Sequence, residues 1–235
     1  MHPLDNVIWT ALTTRQSEFA ESFAHARRFV REVTSLSAFH YPNDEGYESL
    51  AGLVGTGGTA GLFLTAPYTP RRGWSYVAGA PMPEMICDNS GAAATPSPAS
   101  QVSIVELGRT DSPDMVELAA LTKPGPFATR THELGTYLGI RIDGKLVAMA
   151  GERLKIPGHT EISAVCTHPD YLGRGYARLL MTELVQRILS RGEIPFLHVR
   201  QDNVRAIELY QRLGFRERVL LHYAVIRNQQ VLTES

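Results

Sequence analysis

A mixed α/β layer, in which an antiparallel meander leads into a β-α-β-α-β run, is the fold class the sequence predicts. Three observations predict it. An Asp143-Gly144 pair stands between two apolar runs, residues 136–142 and 145–154, and Asp-Gly in that setting marks a tight hairpin. Ala177, Leu180, Met181, Leu184 and Ile188 recur at helical spacing across residues 175–190, while Arg178, Glu183, Gln186 and Arg187 fall elsewhere on the wheel. Gly192 and Gly214 each stand where a helix should stop, and each precedes an apolar run, residues 195–200 and 215–226.

The elements come in this order. Residues 7–23 predict a helix with Val7, Ile8, Ala11 and Leu12 on one face; residues 29–39 and 61–66 predict extended chain, with a short helix over 47–54 between them. The glycine-rich stretch 55–61 has the composition of a phosphate loop. It lacks the Gly-Lys-Ser/Thr ending and runs into a strand, so no helix amides stand behind it, and it reads as a turn. Residues 88–101 are small, polar and proline-containing, as a linker is. They separate an N-terminal α/β segment, residues 1–87, from residues 102–235, which are numerous enough to fold as a domain. That second part opens with a strand over 102–107 and a helix over 111–122 carrying Met115, Leu118, Ala119 and Thr122 on one side. After the hairpin come a strand over 160–167, the helix 175–190, a strand, a helix over 203–213, and a last strand.

With 43% hydrophobic and 20% charged residues in 235, the chain has the composition of an ordinary globular protein. A net charge of −1 provides no field to attract nucleic acid or an anionic membrane. No apolar run approaches the roughly 18 residues that cross a bilayer, and residues 1–18 do not have the pattern of a signal peptide. Two cysteines, Cys87 and Cys166, make no disulfide framework and point to the cytoplasm. They form no zinc spacing with His168 or His198, so no metal is expected.

The segment from Val165 to Ala177 reads as a strand end, a turn at Pro169, a Gly173-Arg174-Gly175 loop and a helix start. A helix N-terminus carries free amides and about half a positive charge, which suits an anion. Close approach of backbone to that anion requires small residues, and Gly173, Gly175 and Ala177 are small; Arg174 adds a fixed charge. A dinucleotide fold would place Gly or Ala where Arg178 stands, and an acidic residue after the next strand, whereas Glu193 precedes it. Downstream, Asn203 caps a helix whose buried face is Ala206, Ile207, Tyr210 and Leu213, with Gly214 as the stop. Tyr210 thus carries a hydroxyl on a buried face, where a phenol needs a polar partner.

Together the loop Leu172-Gly173-Arg174-Gly175-Tyr176-Ala177 and the helix pattern of Asn203, Ala206, Tyr210, Gly214 and Phe215 resemble the GNAT N-acetyltransferases. The resemblance covers residues 102–227. One departure is Leu172, where the family has Gln or Arg, which removes a side-chain contribution and leaves the backbone cradle. Outside the resemblance, residues 1–87 read as a family-specific extension or a degenerate second copy of the fold.

The resemblance implies acetyl-CoA as co-substrate and an amine as acceptor. By it, Val165, Cys166 and Thr167 offer main chain to the pantetheine, Leu172 to Arg178 (with Tyr176) cradle the pyrophosphate, and Asn203 contacts the pantetheine arm alongside its capping role. Tyr210 gives its proton to the departing thiolate. A base must take a proton from an alkyl ammonium, and Glu161 is expected to do so. It lies four residues before Val165, and even spacing on a strand places both on one face; Glu152 is the weaker alternative. The side chain of Cys166 is expected to pack as a small hydrophobe. A binding module that senses acyl-CoA would keep the cradle but have no reason to keep Glu161 and Tyr210. The acceptor and the oligomeric state are not legible.

Overall fold

The hairpin turn forms as expected. Asp143 and Gly144 both have positive φ, 49° and 82°, the geometry a two-residue turn needs to match strand twist. They join β7 (Tyr137–Ile142) to β8 (Lys145–Ile156). The computed structural model describes residues 2–88 and 102–230. Most of the expected linker 88–101 lies outside the described residues.

Helices α1 (Val7–Thr13), α2 (Asp44–Val54), α3 (Ser112–Thr122), α4 (Tyr176–Ser190) and α5 (Val204–Arg212) surround two sheets. The small sheet contains β1 (Ala20–Phe23), β2 (Ala26–Phe29) and β3 (Ser37–Phe39). The large one adds β4 (Thr59–Leu64), β5 (Trp74–Ile86), β6 (Ile104–Leu107), β9 (His159–Thr167), β10 (Ile194–His198) and β11 (Arg216–Asn228) to the hairpin, in the order β4-β11-β5-β10-β9-β8-β7-β6. The β9-α4-β10 unit is the parallel crossover; β9 and β10 pair in parallel, and the other neighbours are antiparallel.

The expected extended run 29–39 is broken by a turn at residues 31–33, and two larger differences from the sequence expectation arise before residue 88. The first helix ends at Thr13, not Phe23, since the hydroxyls of Thr13 and Thr14 donate back to the carbonyls of Trp9 and Thr10. Such local bonds compete with helix continuation, and a hairpin of β1 and β2 comes next. Gln16, just past that helix, bridges the main chain of Arg153 and Lys155 at 2.7 and 3.1 Å and docks the segment on β8.

The second difference is β5, a stretch for which the sequence pattern predicts no element. Pro81 and Pro83 argue against a central strand because each lacks an N–H. Both face the same edge. There their carbonyls accept from Gln201 and Val199 at 3.0 and 3.1 Å, so the missing donors fall where β10 has already ended. The other edge of β5 pairs with β11 along its length. A strand from residues 1–87 therefore sits between two strands from residues 102–235, and the sheet crosses the sequence boundary.

Packing obeys the layers. Leu180, Met181, Leu184 and Ile188 of α4 meet Leu138, Ile140, Val147 and Ile162 of the sheet, and Tyr210, Leu213 and Phe215 extend that core. On the other face, α3 covers Tyr137, Met149, Ala164 and Cys166, and α1 covers Leu154, Ile156 and Phe196. No helix among the described residues is long and apolar enough to cross a membrane.

Candidate functional site

β9 and β10 pair only where His159, Thr160 and Glu161 face Ile194, Pro195 and Phe196, and beyond that they diverge. The cause lies in β9. Its register with β8 slips between Met149↔Cys166 and Gly151↔Ser163, and Ala164 takes φ 52°. A bulge of this kind bends a strand and re-aims the residues beyond it. The splay opens a cleft of about 460 Å³. One wall is β9, including Val165, Cys166 and Thr167; the opposite wall is Ala78, Gly79, Ala80 and Met82 of β5. Lys123, Pro124, Gly125 and Pro126 close one side, and Asn203 and Tyr210 stand at the α5 end.

The loop expected to cradle the pyrophosphate lies outside this cleft, just past the turn that ends β9. Gly173 and Gly175 both have positive φ, 79° and 80°, and Gly175 sits at the N-cap of α4 with no side chain capping it. A residue with a Cβ is strained in that conformation. The amides of Gly173, Arg174, Gly175, Tyr176 and Ala177 have no acceptor among the described residues, while Leu179 N–H takes up the normal helical bond to Gly175. Leu172, Gly173, Arg174, Gly175 and Arg178 are exposed, and Tyr176 and Ala177 are turned inward. The Arg174 guanidinium rests 4.8 Å from the Tyr171 ring centre, at the edge of the loop. Five uncommitted donors at a helix start form an anion site, and these residues fit a diphosphate.

Asn203 caps α5: its Oδ1 accepts from Ala206 N–H at 3.2 Å. Its Nδ2 has no partner among the described residues, so the capping role leaves that donor available. Tyr210 is 7% exposed and lines the cleft without a hydrogen bond to any described residue. Burial raises its pKa above the ordinary 10, so the phenol keeps its proton throughout the physiological range. Cys166 packs under α3, as expected, and burial pushes its thiol up to about 11 against hydrogen bonds to Thr122 and Met149. Such a thiol is a poor nucleophile.

Glu161 requires a correction. Its side chain is 1% exposed, and Arg153 grips it at both oxygens, Nε to Oε2 at 2.8 Å and Nη2 to Oε1 at 2.7 Å. His198 Nδ1 lies 2.7 Å from Oε1 and donates to it. Burial opposes ionisation, but the Arg153 charge and these bonds overcome it and hold the carboxyl at about 2. A carboxylate with so low a pKa and both oxygens engaged does not take a proton from an amine near neutral pH. Even spacing misleads at this point because of the bulge. Ile162 and Val165, an odd three apart, pack in the same cluster, so Glu161 and Val165 face opposite ways. Glu152 fares no better: it is buried in ion pairs to Arg191 and Lys155, each at 2.8 Å.

Several residues that border the cleft do not stand out in the sequence: Arg153, His198, Phe63 and Tyr223. Behind them a chain of charges, buried from Arg153 through Glu161 and His198 to Glu84, emerges through Arg218 and Asp5, both partly exposed. Burial disfavours the His198 imidazolium, but the hydrogen bond to Glu161 and the Glu84 carboxylate 3.3 Å from Nε2 outweigh it and raise the pKa. The His198 ring is fully covered and stacks on Phe63 at 4.1 Å, so it braces the cleft wall without entering it. The signal in the sequence is a pair of opposite charges, Arg153 and Glu161, on two consecutive strands. Among the described residues no group of His, Cys, Asp and Glu could hold a metal.

Comparison with known proteins places this geometry. Residues 137–224 match the family described as FR47-like protein. The N-alpha-acetyltransferase RimI of Mycobacterium tuberculosis is 37% identical over 125 residues, covering 48% of this chain and 78% of that protein. The ribosomal protein bS18-alanine N-acetyltransferase of Escherichia coli is 29% identical over 121 residues, 49% of this chain and 81% of its own length. A crystal structure of a putative acetyltransferase from the GNAT family, from Novosphingobium aromaticivorans, is 37% identical with a TM-score of 0.88, covering 98% of this chain and all of that one. The last match spans both sides of residues 88–101, so the inserted strand β5 falls within the shared fold.

Proposed function

The chain belongs to the GNAT N-acetyltransferase family, and from that premise we propose that it moves an acetyl group from acetyl-CoA to an α-amine. As a member it is an acyltransferase that uses a CoA thioester and an amine. The uncommitted amides from Gly173 to Ala177 are the observation that carries the reading, because they form an anion cradle one turn away from a splayed strand. The free edge of β9 around Val165 to Thr167 then serves the pantetheine amides as a neighbouring strand would. The names of the relatives support acetyl as the acyl group. Two cysteines in 235 residues, too few for a disulfide framework, accord with a cytoplasmic setting.

The choice of amine rests on the contents of the cleft. Among the described residues that line it there is no carboxylate; Glu161 lies behind Arg153 with its charge satisfied. Such a site favours an acceptor that already arrives neutral. An α-amine, with a pKa of about 7.7–8.0, is about one-third neutral at pH 7.5, against roughly 0.1% for a lysine side chain at about 10.4. The neutral nitrogen attacks the thioester carbon, a C–N bond forms, and the C–S electron pair leaves on sulfur. Tyr210 gives sulfur its proton and recovers one from the acylated nitrogen through water, so no net base is consumed. The Mycobacterium tuberculosis and Escherichia coli relatives, one an N-alpha-acetyltransferase and one acting on an alanine of a ribosomal protein, support an α-amine acceptor.

The test compares thiol release at pH 7.5 from a lysine-free peptide with a free N-terminus and from an N-blocked peptide with one lysine. The expected result is at least a 100-fold higher kcat/KM for the free N-terminus. Equal rates, or a faster lysine, overturn the α-amine assignment.

A further inference from the structure

A second groove of about 520 Å³ shares Gly79, Ala80 and Tyr223 with the cleft and is walled further by Pro67, Tyr68, Pro70, Tyr76, Pro81 and His222. The rings of Tyr68 and Tyr76 stack at 5.9 Å and 19°. Tyr76 is 54% exposed and the adjoining Val77 47%, both large apolar groups left in water. Among the described residues no Asp, Glu, Lys or Arg lines this groove.

The main chain beside it is open as well. β5 pairs with β11 on one edge along its length, but on the other edge the last bond is from Gln201 N–H to Pro81 O. Backbone groups alternate along a strand, so Gly79, two residues on, turns its N–H and C=O to that same unpaired edge, inside the cleft. A side chain at Gly79 is excluded: an added Cβ would sit 2.2 Å from Tyr223 O and 2.7 Å from Tyr76 Oη.

We propose that the acceptor is a polypeptide whose residues after the N-terminal amine add as a short strand to the free edge of β5 at Gly79 and run into the Tyr68–Tyr76 groove. This rests on the α-amine reading and extends it to the partner's chemistry. The cleft and the groove share Gly79, Ala80 and Tyr223, so a chain whose amine reaches the thioester has this exit beside it. The edge runs in register from Pro81 to Ala78, and beyond the register shift at Val77 the Tyr68–Tyr76 groove takes up the rest, about five extended residues in all at ~3.3 Å each. An unpaired strand edge gives affinity through main-chain bonds, and a neutral wall of tyrosine and proline selects uncharged side chains over charged ones. A free amino acid would use none of these features. In this arrangement two extended ligands fill the splay from opposite sides, pantetheine on β9 and acceptor on β5.

The experiment measures kcat/KM for alaninamide and for uncharged alanine-led peptide amides of two, four and six residues, with the intact protein and with Tyr76→Ala, an exposed position. Binding of a C-terminally labelled hexapeptide in the presence of CoA is followed by fluorescence anisotropy as an activity-free readout. The expected result is a rise of at least 30-fold in kcat/KM from alaninamide to hexapeptide, levelling beyond five residues. Tyr76→Ala should cut the hexapeptide-to-alaninamide ratio at least 10-fold and raise the hexapeptide Kd at least 10-fold. Aspartate at positions two to four should reverse most of the gain. Alaninamide turned over as well as the hexapeptide overturns the polypeptide docking while leaving the α-amine reading intact. Acetylation of lysine peptides alone overturns both. A change of oligomeric state in Tyr76→Ala, with the peptide ratio unmoved, overturns the proposal in favour of self-association.

Discussion

Glu161→Gln separates a structural from a catalytic glutamate. The wild-type carboxyl has fallen from an ordinary 4.5 to about 2 against the cost of full burial. At about 1.4 kcal/mol per pH unit that difference is worth about 3 kcal/mol of folding stability. A second route agrees: breaking a buried ion pair by removing one partner costs about 3–5 kcal/mol, and Arg153, 6% exposed, would keep its charge with no counterion at hand. The folded pKa is depressed, so the stabilisation is complete above about pH 4.5 and is lost as pH falls from there toward 2. Urea unfolding of wild type and Glu161→Gln at pH 7 should differ by about 3 kcal/mol, and the gap should shrink steadily between pH 5 and 3. At 10 °C, with the variant folded by circular dichroism, its kcat should remain within about 10-fold of wild type. A gap below 1 kcal/mol at pH 7, or one that stays constant down to pH 3, refutes the ion-pair reasoning. A folded variant that loses 100-fold or more in kcat restores Glu161 as the base, since a general base contributes roughly 10²–10⁴.

Gly175→Val should raise the KM for acetyl-CoA at least 10-fold with a smaller change in kcat. An added Cβ there meets no protein atom within 4 Å, so the change falls on the anion site and on a backbone penalty of about 1–2 kcal/mol; steady-state kinetics and thermal shift with CoA check it. Tyr210→Phe should lower kcat about 100-fold or more with KM for both substrates near wild type, and an unchanged kcat removes Tyr210 from the proton path. Residues 102–235 expressed alone should show no cooperative thermal transition, because β10 and β11 lose β5 between them and His198 and Arg218 lose Glu84. A sharp transition with retained CoA binding would show that the segment stands alone.

What was legible in the sequence was whatever is decided within a few residues of chain. The Asp143-Gly144 turn, the α4 stripe, the glycines before it and the Asn203 cap depend on backbone geometry and on spacing of three or four, and all stand where the residues put them. The uncommitted amides at the start of α4 belong to this class, since they follow from the helix itself. The split of residues 7–23 into a helix and a hairpin was a local error of another kind, in which threonine hydroxyls stopped the helix early. The tertiary structure alone decided two things. One was where β5 goes, since its partners Phe196 and Leu221 lie more than a hundred residues away and its prolines argue locally against a strand. The other was the fate of Glu161. One bulge at Ala164 reversed its face, and Arg153 from the neighbouring strand took its charge. Alternation along a strand holds only while the register holds, and register depends on the whole sheet.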